Sequence, residues 1–115
     1  MPITAAGKNI GLDDIAASAS HVALFNGDPS GAGTEISGGS YARQSITWNA
    51  AAAGNLDSSN TPTFTVPSGS TVNFAALYTA LTGGTLLAFK AITSETFATE
   101  GSLVISDFDV AINDV

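Results

Sequence analysis

Apolar and polar residues alternate with a period of two in three separate stretches, residues 41–48, 71–79 and 103–112. Successive side chains of an extended strand point to opposite faces, so this period belongs to strands and not to helices. In the first stretch Ala42, Gln44, Ile46 and Trp48 fall on one side, and Tyr41, Arg43, Ser45 and Thr47 on the other. In the second, Val72, Phe74, Ala76 and Tyr78 oppose Asn73, Ala75 and Leu77. In the third, Val104, Phe108, Val110 and Ile112 oppose Asp107 and Asp109.

Short apolar runs at 21–25, 64–66 and 86–92 add further strands. Gly, Pro and Asn separate them, in the loops 26–33, 37–40 and 67–69 and in the hairpin-like turn Thr82-Gly83-Gly84. Residues 55–63 are polar and turn-rich, and 50–53 are four alanines, helix-prone or a plain link. Six or seven short strands punctuated in this way predict an antiparallel β sandwich or jelly roll, a mainly β fold. One N-terminal α-helix over 3–19 precedes it. Thr4 stands at its start, and Leu12, Ile15, Ala16 and Ala19 recur on one face at spacings of three and four. With 115 residues, no internal repeat and no long linker, the expectation is a single domain over 1–115.

The chain has few charges. Charged residues make up 11%, and ten acids face three bases, Lys8, Arg43 and Lys90, for a net charge of −7. Nucleic-acid binding needs Lys and Arg to displace counterions from phosphates, and anionic membrane surfaces recruit basic clusters. Both partners are therefore read as absent. There is no cysteine, which excludes disulfides and thiolate metal sites, and no apolar run is long enough to span a bilayer as a helix.

Little is available for catalysis. His21 is the one histidine, and no Gly-x-Ser-x-Gly elbow presents a serine to it. The glycine-rich stretches near Gly31 and Gly38 lack the Gly-Lys-Ser/Thr that holds phosphates. Asp107 and Asp109 share a strand face, but a calcium loop supplies more oxygen ligands in a set order, so a solvated or aggregation-resisting face is the plainer reading. No enzyme activity, metal or cofactor is expected. Candidate interaction residues are Asp28 and Pro29 in an exposed turn, and Tyr41, Arg43 and Trp48 along one strand. Arg43, a rare base, is expected to form an ion pair, and Trp48 either buries or offers a stacking face.

Several motifs occur together: Gly7-Lys8-Asn9, Gly27-Asp28-Pro29, Gly39-Ser40-Tyr41-Ala42-Arg43 with Trp48 beyond it, and Pro67-Ser68-Gly69-Ser70-Thr71-Val72. In this combination the chain resembles small bacteriophage virion accessory proteins, commonly labelled tail fibre or minor tail proteins. The resemblance implies a virion structural protein made in the host cytoplasm, and it carries over no catalytic residues. A chain of this length without heptads is short for a fibre, and capsid cement proteins have about this size. The first expectation is therefore a capsid cement or decoration protein bound to the major capsid protein. It is expected to form a homotrimer, because three-fold surfaces recur on capsids and self-association buries surface that a small chain lacks. Alternatives are a tail fibre or minor tail protein bound to tail proteins, and a carbohydrate-binding module that uses an exposed Tyr41 or Trp48.

Overall fold

The computed structural model describes residues 3–106 and 108–111. The fold is mainly β, with open antiparallel sheets and one helix at the N-terminal end. Helix α1 runs Ala5–Ser18 and is capped as its sequence suggests, for the Thr4 hydroxyl accepts the N–H of Gly7 at 3.1 Å. Leu12 is its fully buried residue. Asn9 accepts the Gly54 N–H and Asp13 accepts the Ala51 N–H. Those two bonds tether a tight turn that Ala52 and Asn55 close by reciprocal backbone hydrogen bonds, with Ala53 and Gly54 between them both at positive φ. The helix-prone alternative for 50–53 is not adopted.

Strands β1 (His21–Asn26), β6 (Ser70–Tyr78) and β7 (Leu86–Phe97) are the long strands of a five-stranded sheet, with β6 between β1 and β7 and β7 at one edge. Two short strands, β2 (Thr34–Glu35) and β3 (Gln44–Ser45), share the outer edge of β1. The opposite layer consists of two ladders. Strand β5 (Thr63–Val66) pairs with β8 (Gly101–Val104), and β4 (Asn55–Asp57) pairs with β9 (Asp109–Ala111). Side chains from both layers meet in one core: Val22, Leu24, Val72, Ala75 and Leu77 against Phe64, Val66, Leu103, Ile105 and Phe108. The pairings make an open sandwich.

Three expectations about register change. Residues 103–112 are not one strand. The chain leaves β8 after Val104 and joins another ladder at Asp109. The inward side changes parity across that break: Leu103 and Ile105 are buried while Val104 is 52% exposed, and further on Phe108 is buried again. Asp107 and Ile112 lie outside the described residues. Strand 41–48 is reduced to β3 and a bridge from Trp48 to Ser58. Tyr41 and Arg43, placed opposite Ile46 by simple alternation, also turn inward, while Ala42 is exposed. Finally, the polar segment 55–63 contains β4, whose Leu56 is fully buried.

The turn after β1 is set by close backbone approach. A Cβ on Gly33 would lie 2.5 Å from the carbonyl oxygens of Gly27 and Asp28. Gly33→Ala is therefore expected to cost about 2 kcal/mol, the usual scale of overpacking, as measured by urea unfolding. Gly31→Ala, whose nearest neighbours are at 3.9 Å, is the control that should change stability little.

Candidate functional site

Strand β1 has a gap in its outer edge. β2 pairs with Phe25 and Asn26, β3 pairs with His21 and Val22, and neither ladder includes Leu24. A buried, unpaired N–H costs about as much as a lost hydrogen bond. Here the Tyr41 hydroxyl accepts the Leu24 N–H at 3.0 Å, and the Leu24 carbonyl accepts the Ile36 N–H at 2.9 Å. The phenol thus stands in for a missing strand residue. Its ring stacks on Phe64 of the opposite layer, with centroids 6.3 Å apart.

The same hydroxyl donates to Glu35 Oε2 at 2.9 Å, and the Glu35 carboxylate also receives a two-pronged grip from Arg43. Nε donates to Oε2 and Nη2 to Oε1, both at 2.9 Å. Nη1 donates to the carbonyls of Ala80 and Gly83 at 3.0 and 2.7 Å. The guanidinium plane lies over the Tyr78 ring, 3.9 Å from its centroid. Arg43 therefore joins three segments: β2, the approach to β3, and the connection between β6 and β7. Its side chain is 8% exposed and that of Glu35 29%. A planar fork with five donors suits this role, and a point-charge ammonium does not.

Electrostatics follow the geometry. Burial raises the Tyr41 phenol well above the ordinary tyrosine range, the Leu24 N–H opposes that rise, and the Glu35 charge adds to it. The hydrogen bond to Glu35 raises the Arg43 guanidinium further. For the Tyr41 phenol, a folded-state pKa above the unfolded value gives stability that is complete below about pH 10 and is lost as pH rises through the folded value. In an alkaline titration followed by tyrosinate absorbance, the difference between wild type and Tyr41→Phe isolates this phenol. Its ionisation is expected to coincide with unfolding. Ionisation near pH 10 in folded protein would contradict the buried geometry.

Beside the network lies an open cleft of about 400 Å³, whose lining includes Ile36, Ala42 and Leu81. The other candidates sit elsewhere. Asp28 is exposed, and its carboxylate accepts both the N–H and the hydroxyl of Ser30, which lowers its pKa. Its carbonyl accepts from Gly31 and Gly33, so Asp28 and half-buried Pro29 form a self-contained turn. Trp48 is half-buried, donates its indole N–H to the Ala19 carbonyl at 3.0 Å, and meets Phe108 edge-on. Trp48 lines a different groove, with Asp13 and Thr47. His21 Nδ1 lies 2.8 Å from the Ser20 hydroxyl. Among the described residues no group of three or more His, Cys, Asp or Glu side chains is placed to hold a metal ion, and no helix is long and apolar enough to cross a membrane.

The structure thus brings Tyr41 and Arg43 together and leaves Asp28, Pro29 and Trp48 apart. Glu35, Tyr78 and the carbonyls of Ala80 and Gly83 had no signal in the sequence beyond the scarcity of charge around Arg43. The network consumes the donors of Arg43 internally, so its chemistry is that of a brace. Loops 37–40 and 67–69 approach each other at one end, where a Cβ on Gly39 would lie 3.2 Å from Pro67.

A family model described as the podophage GP4 fiber I protein gp80 matches residues 13–113. No curated protein and no solved structure matches the chain.

Proposed function

The chain belongs to the podophage GP4 fiber I protein gp80 family, phage virion fibre proteins, and from that membership we propose that it is a non-enzymatic subunit of a fibre on the phage particle. The match over residues 13–113 carries this reading. It favours the fibre alternative over the capsid cement role expected first from chain length. Two features of the fold fit a building block. The chain is elongated, 46 × 25 × 24 Å. Its most connected polar cluster holds its own loops, as a subunit that must present a fixed surface to other virion proteins requires. A glycan-binding role asked for an exposed Trp48, whereas the indole is half-buried with its N–H occupied. The three-fold assembly expected from capsid symmetry has no residue behind it, and the self-association argued below is two-fold.

Deleting the gene tests the reading. Particles without the protein are expected to lose fibre density in electron micrographs while their heads keep the heat stability of wild type. A copy number matching the capsid lattice, with heads that release DNA on mild heating, would restore the cement role.

A further inference from the structure

We propose that the free edge of β7 is a self-pairing surface, on which a second copy of this chain adds its own β7 antiparallel across a two-fold axis. This goes beyond the fibre assignment and does not depend on it. β7 is the longest strand, Leu86–Phe97, and the last in the sheet order. Among the described residues it pairs with β6 alone, so its other edge presents a row of backbone donors and acceptors. Its sequence, LLAFKAITSETF, contains no Pro or Gly to blunt an edge. In its first half the outer face is apolar. Leu87 is 37% and Phe89 40% exposed, and Phe89 lies against Phe74 at a centroid distance of 6.2 Å.

The charges identify the occupant. β7 has two, Lys90 and Glu95. In a regular strand residues five apart point to opposite faces. Here the register shifts between Val72 and Phe74, so that Lys90 pairs with Ala75 while Glu95 pairs with Val72. Ala75 and Val72 both belong to the core side of β6. Lys90 and Glu95 therefore share one face of β7, and both line a cleft with Ile92 and Leu103. When two β7 strands are laid antiparallel with Lys90 opposite Glu95, the two-fold axis makes the reciprocal pair as well. That register also sets Phe89 opposite Thr96, so outer-face residues meet outer-face residues. Opposite charges directly across an antiparallel pair stabilise it, and like charges destabilise it. The edge is thus complementary to itself, and an isologous interface needs that property.

Sedimentation equilibrium of the full chain and its charge variants, each checked for folding by circular dichroism, tests the proposal. Wild type is expected to dimerise. Glu95→Lys, at an exposed position, is expected to weaken the dimer at least about tenfold, because two attractive pairs become two repulsive ones. Lys90→Glu should do the same. The double variant K90E/E95K should recover the homodimer, and an equimolar mixture of the two single variants should form a heterodimer. Glu95→Lys with its mixture partner keeps the test decisive even where Lys90→Glu alone is poorly folded, since Lys90 also lies 4.7 Å from the centre of the Phe108 ring. A monomeric or trimeric wild type, or a dimer indifferent to both reversals, would overturn the proposal.

Discussion

Phe64→Ala is expected to lower the unfolding free energy by about 3–5 kcal/mol, the range for removing a large buried aromatic side chain. Phe64 is fully buried at the centre of the core shared by the two layers. Its loss removes apolar area from the fold and leaves a cavity that the sandwich cannot close without moving β5 or β1. It also takes away the ring on which Tyr41 stacks. For a chain of this length such a loss corresponds to a fall in melting temperature of about 15 °C or more. Chemical denaturation and calorimetry measure it. Phe64→Leu, which keeps most of the volume, should cost well under half as much. Equal losses for the two variants would mean that the site is solvated and that the core is wrongly placed.

Arg43→Met is the second large effect, expected to cost about 3 kcal/mol, near the lower end for breaking a buried pair because Glu35 keeps some access to water. The methionine fills part of the space but leaves the Glu35 carboxylate without its fork, and the Ala80 and Gly83 carbonyls without donors. Arg43→Lys should recover only a minor part, since an ammonium cannot grip a carboxylate in two places while reaching two carbonyls. Hydrogen exchange separates this brace from a general loss of stability. The connection 79–85 should exchange faster in Arg43→Met than in a core variant of equal stability. A double-mutant cycle with Glu35→Gln should give a coupling of about 1–3 kcal/mol. Additive losses would show that the two residues act apart.

The cap at Thr4, the buried Leu12, the antiparallel sandwich class and the turns at 26–33 and 67–69 were legible because each depends on neighbours in sequence. A Thr hydroxyl just ahead of the first helical turn can accept a free N–H of that turn without any distant contact. A run such as 21–25 is apolar on both sides because β1 is covered on both faces, and that too shows locally. The membership of a phage protein family was visible as well, through the joint occurrence of turn and strand motifs around Gly27-Asp28-Pro29 and Gly39 to Arg43.

Tertiary structure decided the rest, for one physical reason. Alternation reports which side of a strand is apolar, but the partner strand and its register are set by contacts distant in sequence. Every place where the alternation misled is a place where the ladder is interrupted. Residues 103–112 change ladders, so the inward parity flips between Ile105 and Phe108. Tyr41 and Arg43 point inward because β1 has a gap at Leu24 and β6–β7 offers carbonyls at Ala80 and Gly83, none of which lies near them in the chain. The register shift in the β6–β7 pair brings Lys90 and Glu95 to one face. By itself the sequence determined that this chain makes strands, where it turns and how it caps its helix. Folding determined which strand each edge meets, because an edge can be read only once its neighbours are in place.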